Sequence, residues 1–297
     1  MLFTPELTAD GSFTFFSTDY REAFHSLHGA RQEAICKFVE PTQLIEKATR
    51  PQLRLLDICY GMGYNTAAAL ETIWRVNPNC RVEVIGLEID ETVPQAAIAH
   101  QVFSSWQPNI QQALTALALN FEVQRPHLSA QLRLGDARQT LQQLEQPFDA
   151  VFLDPFSPRH CPQLWTVEFL TIVARCLKSD GRLATYSCAT AVRAALMAAE
   201  FKIGSTDPVG RRSPGTVACK SAESVGFPAL SLREQEHLRT RAAVPYRDRG
   251  LSDSAETILQ RREVEQRTSL LEPTSHWKKR WAHNPSIQTS KGLAESV

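Results

Sequence analysis

Four acidic residues stand at or near the ends of short apolar segments, where carboxylates can bind a nucleotide: Asp57, Glu88, Asp136 and Asp154. In an open α/β sheet, ligands bind outside the carboxyl ends of the strands, so acids at these places are informative. Glu88 is placed to accept hydrogen bonds from two ribose hydroxyls, and Asp136 to accept from an adenine amino group. One such acid is commonly a helix cap. Four in succession predict a nucleotide-binding edge.

A turn with two glycines follows the first of these acids. Gly61 and Gly63 lack a Cβ, so the backbone can turn tightly there and approach a ligand closely. Asp57 precedes the turn and Asn65 follows it. The spacing is not a complete G-x-G-x-x-G motif and is a weak signal by itself. Together with the acids, it predicts that the turn binds the same nucleotide.

Strands and helices that alternate along the chain would position these residues. Strand–helix units of this kind build a parallel sheet. The predicted class is therefore α/β, with a Rossmann-like sheet of about seven strands and extensions at both ends. The predicted strands cover 53–58, 82–87, 131–134, 148–153, 182–186, 201–203 and 217–219. The predicted helices cover 23–39, 65–76, a segment after 91, 164–177 and 189–199.

The length of 297 residues allows two ordinary domains or one enlarged domain, and the pattern favours the second. We expect an N-terminal extension over 1–50 and a sheet domain over 51–220. Over 221–297 apolar periodicity falls while Pro, Arg and Glu become more frequent, which predicts a basic, helical or loop-rich appendage. The hydrophobic content of 43% excludes the disordered and fibrous classes.

Charge and cysteine content narrow the functional classes further. Lys and Arg total 32 and Asp and Glu total 32, yet the segment 211–283 holds 14 of the former and 9 of the latter. This basic excess suits a polyanionic partner, although a solvated helical surface would have the same composition. The seven cysteines form no Cys-x-x-Cys pair, and no segment is typical of a signal peptide or a membrane span. We therefore predict a cytoplasmic protein with reduced thiols, no membrane association and no bound metal.

The segments around the four acids resemble class I S-adenosylmethionine-dependent methyltransferases. The resemblance lies in 57–63, 86–88, 135–137 and 152–155. Cys59 departs from the family pattern, because many members have a glycine there, and its side chain is expected to point away from the methionine moiety. Enzymes that bind NAD share the sheet, but the missing third glycine and the Gly-Asp-Ala segment favour S-adenosyl-L-methionine. The resemblance implies that this is the cofactor.

Further segments, spread over about residues 4–220, resemble the MnmC methyltransferase domain. They are 8–12, 25–30 with Glu33, 61–65, 152–158 with Trp165, 184–187 with 192–193, and 210–212. This family methylates the exocyclic amine of 5-aminomethyl-2-thiouridine at the wobble position of tRNA, and its bifunctional members carry an FAD-dependent oxidase domain as well. Because no dinucleotide motif follows residue 220, the resemblance implies a stand-alone methyltransferase form that acts on tRNA.

The resemblance also implies roles for individual residues. Asp154 is the catalytic candidate that directs the substrate amine, and Phe156 stacks on a base or covers the methyl donor. The extension over 1–50 covers the donor site. The implied cofactor contacts are Asp57, Gly61, Gly63, Asn65, Glu88, Asp136, Ala137, His25 and Ser26. The substrate or RNA candidates are Tyr186, which ends the fifth predicted strand, and a set chosen for its positive charge, which suits tRNA phosphates: Arg211, Arg212, Lys278, Lys279 and Arg280.

The same residues allow other interpretations. Asp154 can cap the following helix with Phe156 in the core, and the two tryptophans beside 278–280 can either dock the tail on the core or stack on nucleotides. A related methyltransferase that acts on a small amine or polyamine would keep the acidic strand ends but need no basic arm. A non-catalytic module would bind the donor or RNA without turnover.

Overall fold

The computed structural model describes residues 3–208, 213–221 and 226–282. Within these residues, eight of twelve strands form one central sheet. In chain order the strands are β1 (Glu6–Leu7), β2 (Phe13–Thr14), β3 (Phe16–Ser17), β4 (Glu22–Ala23), β5 (Gln52–Ile58), β6 (Arg81–Glu88), β7 (Glu122–Arg125), β8 (Leu128–Leu134), β9 (Phe148–Leu153), β10 (Leu177–Thr185), β11 (Lys202–Ser205) and β12 (Thr216–Cys219). The order across the sheet is β11-β12-β10-β9-β5-β6-β8-β7.

The centre of the sheet is parallel, and its strand order reverses beside β5. Strand β5 pairs in parallel with β6 and β9, while β6 pairs with β8 and β9 with β10. The chain therefore runs from β5 to β6 and β8, then returns to β9 on the other side of β5. A crevice opens at the carboxyl ends of the strands where the order reverses. The predicted Rossmann-like α/β class is confirmed.

The structure adds a strand that the sequence pattern did not indicate. Strand β7 pairs antiparallel with β8 at one edge of the sheet. Its four residues include one that is buried, Val123, and two residues separate it from β8. So short a segment with one buried position has too little alternation to be recognised.

Helices cover both faces of the sheet. They are α1 (Ala30–Ala34), α2 (Leu44–Lys47), α3 (Tyr64–Val76), α4 (Thr92–Ala99), α5 (Pro108–Asn120), α6 (Ala137–Thr140), α7 (Val167–Arg175), α8 (Thr190–Ala198), α9 (Leu232–His237), α10 (Ala255–Thr268) and α11 (Thr274–Ala282). Alternate residues of β5 face opposite sides: Leu55 packs in the core cluster with α3 and α5, and Leu56 in the cluster with α7 and α8. Because side chains alternate between the two faces along each strand, the sheet has one hydrophobic core on each face.

The helix predicted over 23–39 is wrong in its first part. Residues Glu22–Ala23 form a strand that pairs with β3, and α1 begins at Ala30. The N–H of Ala30 donates to Ser12 Oγ at 2.9 Å, so a side chain from the preceding hairpin satisfies the first turn. Helical backbone continues as a π-helical turn over Ile35–Val39.

Residues 226–282, here called the C-terminal segment, pack against the sheet and its helices. Tyr246 and Ile258 are buried in the core cluster that contains α7 and α8. The N–H of Val167 donates to the carbonyl of Tyr246, and Glu234 pairs with the buried Arg193 at 2.7 Å. The contacts are both apolar and ionic, so this segment shares the core of the sheet.

Two further features concern the described residues only. All seven cysteines lie among them, and none takes part in a disulfide. No helix within residues 3–208, 213–221 and 226–282 has the length and apolar character needed to cross a membrane.

Candidate active site

A cavity of about 510 Å³ opens at the carboxyl ends of β5, β6, β8 and β9. It lies where the strand order reverses, as expected for an open α/β sheet. Most of the sequence-predicted residues meet on its wall: Gly61, Asn65, Glu88, Asp136, Ala137, His25, Ser26, Asp154, Phe156 and Tyr186. Asp57 and Gly63 are not on the wall. They lie behind the turn that forms it, where they support its conformation.

The turn after β5 is built from left-handed backbone. Gly61 has φ +55° and Gly63 has φ +85°, and Cys59 adopts φ +65° despite its side chain. A Cβ on Gly63 would lie 2.5 Å from the hydroxyl oxygen of Tyr60, which is too short for two atoms that are not bonded to each other. Glycine is therefore required at Gly63 for space as well as for backbone angle. Cys59 lies on the cavity wall and also packs against the core.

Glu88 fixes the turn with its carboxylate. Oε2 accepts the N–H of Gly61 at 2.7 Å, and Oε1 accepts the N–H groups of Ile89 and Asp90 at 2.8 and 3.0 Å. Its burial raises the pKa of Glu88 above the ordinary range, and the three N–H groups oppose that shift. Three bonds hold the carboxylate in one orientation at the cavity wall. The contact between Glu88 and a ribose stays a prediction. A carboxylate that is held in one orientation is well suited to such a contact.

Asp57 lies completely buried beneath the same turn. Its Oδ2 accepts the hydroxyl of Thr66 at 2.7 Å, while Oδ1 has no hydrogen-bond partner within the described protein. Burial raises the pKa of Asp57 to about 7. Through its bond to Thr66, Asp57 connects β5 to α3. Its direct contact with a cofactor stays a prediction.

Asp154 and Asn65 form a hydrogen-bonded pair on the cavity wall. Asn65 Nδ2 donates to Asp154 Oδ2 at 2.9 Å, and Asn65 Oδ1 is buried without a partner in the described residues. Burial raises the pKa of Asp154 well above its usual value, and the nearby charge of Glu33 raises it further. Asp154 follows β9, and its N–H donates to the carbonyl of Ile58 at the end of β5. The pair therefore stands where the strand order reverses.

An aromatic wall stands beside Asp154. The rings of Phe156 and Tyr20 stack with centroids 4.3 Å apart, and Phe24 meets Phe156 edge-on at 5.0 Å. Tyr186 donates its hydroxyl to the carbonyl of Pro155 at 2.9 Å. Tyr186 thus holds the loop after Asp154 in place, in addition to lining the cavity.

The N-terminal hairpin contacts this loop directly. Glu22 Oε2 accepts the N–H of Ser157 at 2.8 Å, and Tyr20 belongs to the same hairpin. Sequence reasoning missed both residues. The acidic and aromatic composition of 13–24 was visible, but the contact spans more than 130 residues along the chain, which no local pattern reports.

His25 and Ser26 both lie on the cavity wall, but they differ in their hydrogen bonds. His25 is buried with its ring edge-on to Tyr64, and Nδ1 has no partner within the described residues. Burial lowers the pKa of His25 to about 4, so the ring is neutral near pH 7. The N–H of Ser26 donates to Glu33 Oε2 at 3.1 Å.

Asp136 forms a salt bridge with the neighbouring Arg138. It caps α6 by accepting the N–H of Arg138 at 2.9 Å, and the guanidinium of Arg138 contacts both carboxylate oxygens. Hydrogen bonds and the positive charge of Arg138 keep the pKa of Asp136 below its ordinary value, although burial opposes them. Arg138, which also lines the cavity, was not singled out from the sequence. Its place two residues after Asp136 was the signal that could have found it.

Of the residues predicted to contact substrate or RNA, Tyr186 lines the cavity. Arg211 and Arg212 lie outside the described residues. Lys278, Lys279 and Arg280 are exposed on α11, where Arg280 pairs with Glu272 and with Glu236.

The tryptophans of α11 are buried. Trp277 stacks on His237 with ring centroids 4.0 Å apart, and Trp281 donates its indole N–H to Glu236 at 2.8 Å. Of the two sequence-based alternatives for these rings, the structure favours docking on the rest of the C-terminal segment.

The cavity fits S-adenosyl-L-methionine, the cofactor expected from the sequence. Buried polar atoms without a protein partner are commonly satisfied by water or a ligand. Three such atoms, Asn65 Oδ1, His25 Nδ1 and Gln163 Oε1, belong to residues on the wall. A fixed carboxylate at Glu88, a glycine turn and a volume of about 510 Å³ complete a site of suitable size and polarity. The described residues contain no group of three or more possible metal ligands.

Comparison with known proteins identifies the family. A family model described as S-adenosyl-L-methionine-dependent methyltransferase matches residues 95–221. The crystal structure of MNMC2 from Aquifex aeolicus is 33% identical, with a TM-score of 0.79 over 90% of this chain and 86% of that chain. An uncharacterized protein of Methanocaldococcus jannaschii is 32% identical over 268 residues, which are 89% of this chain and 72% of that protein.

A larger protein is also similar over part of its length. The tRNA 5-methylaminomethyl-2-thiouridine biosynthesis bifunctional protein MnmC of Acidovorax is 30% identical over 203 residues, which are 64% of this chain and 31% of that protein. The aligned region thus spans about a third of this bifunctional relative. S-adenosyl-L-methionine is confirmed as the cofactor. The chain belongs to the MnmC-type family of S-adenosyl-L-methionine-dependent methyltransferases.

Proposed function

We propose that this enzyme methylates the exocyclic amine of 5-aminomethyluridine or 5-aminomethyl-2-thiouridine at the wobble position of tRNA, giving the 5-methylaminomethyl product. The observation that carries the proposal is the Asp154–Asn65 pair in the donor cavity beside stacked aromatic rings. The printed name of the Acidovorax relative, which refers to biosynthesis of this tRNA nucleoside, supports the choice of substrate.

A primary alkylamine must lose a proton before it can act as a nucleophile. Its reference pKa of about 10.4 puts the neutral form about 5 kcal/mol above the ammonium near pH 7. Burial raises the pKa of Asp154, so its carboxylate takes up a proton more readily than an exposed aspartate. A substrate ammonium that binds beside Asp154 can transfer a proton to it, and the two groups become neutral together.

Asp154 can also direct the lone pair of the amine. Asn65 occupies Oδ2, and no donor among the described residues contacts Oδ1. We propose that, once Asp154 has taken up the proton on one oxygen, its unprotonated oxygen accepts an N–H of the neutral amine, so that the lone pair of the nitrogen faces the methyl donor. S-adenosyl-L-methionine supplies an electrophilic methyl carbon on sulfur, so that transfer forms a C–N bond, breaks a C–S bond and releases S-adenosyl-L-homocysteine and a proton.

The aromatic wall supplies a surface for a nucleobase. Phe156 and Tyr20 already stack on each other, and Phe24 lies against Phe156. Base-on-aromatic stacking contributes about 1–3 kcal/mol per base in proteins that bind single strands. We propose that the flipped wobble base stacks on this cluster while its amine reaches Asp154.

A small amine or polyamine is the second candidate substrate, and the charges of the C-terminal segment favour it. Arg247 pairs with Glu168, Arg261 with Asp253, and Arg280 with Glu272. Side chains committed to intramolecular pairs contribute less to phosphate binding than solvated ones. This observation weakens the basic-arm argument for RNA without affecting the donor site.

Methyl transfer to defined acceptors tests the proposal. The enzyme with labelled S-adenosyl-L-methionine would be given tRNA that carries 5-aminomethyl-2-thiouridine, the same tRNA without the modification, or a polyamine. We expect label in the first tRNA only, with binding that weakens steeply as salt rises. Label in the polyamine but in neither tRNA would support the second candidate and overturn the first.

Asp154→Asn separates catalysis from donor binding. The amide keeps the shape of the side chain but accepts a proton poorly, so we expect turnover to fall by at least about 100-fold. Calorimetry with S-adenosyl-L-methionine should give a dissociation constant close to that of the parent enzyme. Undiminished turnover would remove Asp154 from the mechanism.

A further inference from the structure

A chain of ionic contacts connects the donor cavity to the C-terminal segment. Arg138 Nη2 donates to Asp136 Oδ2 at 2.7 Å, and Nε contacts Oδ1 at 3.1 Å and Oδ2 at 3.0 Å. On its other side, Nη1 donates to Asp248 Oδ2 at 2.8 Å and to the carbonyl of Asp253 at 2.9 Å. Asp136 and Arg138 line the cavity, while Asp248 and Asp253 belong to the C-terminal segment.

Asp248 is fully buried, and its contacts determine its orientation. Oδ1 accepts the N–H groups of Ser252 and Asp253 at 3.1 and 3.2 Å, and its own N–H donates to Glu168 Oε2 at 2.8 Å. A buried carboxylate is stable only when a cation or several donors compensate its lost hydration. Arg138 is the cation that pairs with it in the part of the chain that the structure describes. The segment thus places a negative charge behind Arg138.

The guanidinium of Arg138 is held at both edges by this arrangement. A guanidinium has five N–H donors in a rigid plane. The two on Nη1 contact the C-terminal segment, and those on Nε and Nη2 contact Asp136. Because the plane is rigid, an anchor on the Nη1 edge sets the position of the opposite edge. Without that anchor the guanidinium could turn toward the cavity and carry Asp136 with it.

We propose that Asp248 is a positioning residue for the donor site, which acts through Arg138 to fix the carboxylate of Asp136. The adenine end of the cavity is then complete only when the C-terminal segment is docked. This inference rests on the expected contact between Asp136 and the adenine of the donor. It does not depend on which amine is methylated.

Asp248→Asn tests the inference by equilibrium binding. The substitution keeps the volume of the side chain and removes the charge that holds Arg138. We expect the dissociation constant for S-adenosyl-L-homocysteine, measured by calorimetry, to rise about tenfold, which corresponds to the loss of one hydrogen bond to a charged group. Asp136→Asn should weaken binding to at least the same degree.

Glu234→Gln is the matched control. Glu234 also links the C-terminal segment to the body of the protein, through Arg193 at 2.7 Å, but neither residue lines the cavity. Glutamine preserves the capping position at the start of α9. We expect its melting temperature to fall while binding of S-adenosyl-L-homocysteine stays unchanged. Equal weakening in Asp248→Asn and Glu234→Gln would reduce Asp248 to a structural role and overturn the inference.

The remaining outcomes are also decisive. Parent-like binding by Asp248→Asn overturns the inference, and parent-like binding by Asp136→Asn overturns the adenine contact on which it rests. If Asp248→Asn does not yield folded protein, Arg138→Lys replaces it, because one ammonium cannot reproduce both edges of the guanidinium. Weaker binding by folded Arg138→Lys supports the proposal, and unchanged binding overturns it.

Discussion

Adding one methyl group at Gly63 tests how tightly the donor-binding turn is built. Gly63 has φ +85°, and its Cβ in an alanine variant would lie 2.5 Å from the hydroxyl oxygen of Tyr60 and 2.8 Å from the adjacent ring carbon. Gly11 offers a matched control, because its φ is +81° and no atom lies within 4 Å of the corresponding Cβ. The two substitutions share the backbone strain and differ in the steric contact.

The expected magnitudes follow from this difference. Left-handed backbone costs an alanine about 1–2 kcal/mol, which should be the whole loss for Gly11→Ala. Overpacking a buried site costs about 1–3 kcal/mol more, so Gly63→Ala should lose about 2–5 kcal/mol of unfolding free energy. Tyr60 is 3% exposed and has little room to move away.

Chemical denaturation of the two variants measures the difference, and calorimetry with S-adenosyl-L-methionine measures its effect on the site. We expect Gly63→Ala to weaken donor binding, since the turn also aims the N–H of Gly61 at Glu88. Adding Tyr60→Phe should restore part of the stability by removing the closest atom. Equal losses in the Gly63 and Gly11 variants would refute the steric argument.

Two other predictions concern the cavity wall. Glu88→Gln replaces one oxygen by an NH2 group, which then faces either the N–H of Gly61 or those of Ile89 and Asp90. We therefore expect the dissociation constant for S-adenosyl-L-methionine to rise about tenfold in calorimetry, and an unchanged constant would contradict the role given to Glu88. His25 has a pKa lowered to about 4 by burial, so the unfolded chain binds a proton that the folded chain refuses between about pH 6.5 and 4. The free energy of unfolding should therefore fall through that window as the pH decreases, and less steeply in His25→Gln, as followed by denaturation at each pH; identical slopes would count against a buried neutral His25.

The fold could be predicted from sequence where periodicity was strong. The apolar strand over 53–58 and the Ala-rich helix that follows it match β5 and α3 closely. Strand β7 and the early part of the 23–39 segment were not predicted correctly. Strand β7 has one buried residue and forms by pairing with the neighbouring β8, while α1 begins at Ala30, where Ser12 Oγ accepts a backbone N–H from 18 residues away. Local composition cannot report such partners.

The candidate site could also be predicted from sequence only in part. Glu88 and Asp154 could be singled out because strand-end acids beside a glycine turn are a local pattern. Their state could not be derived, since three backbone N–H groups orient Glu88 and burial raises the pKa of Asp154. Arg138 and Asp248 are 110 residues apart and meet through tertiary packing. Their connection therefore leaves no signal in spacing or composition.

Nucleoside analysis of a single reaction tests the central claim most directly. The enzyme, S-adenosyl-L-methionine and tRNA carrying 5-aminomethyl-2-thiouridine would be incubated together, and the tRNA digested and examined by mass spectrometry. We expect the wobble nucleoside to gain the mass of one methyl group on its amine and to become 5-methylaminomethyl-2-thiouridine. An unchanged wobble nucleoside, in a reaction where the enzyme is shown to bind S-adenosyl-L-methionine, would contradict the proposed function.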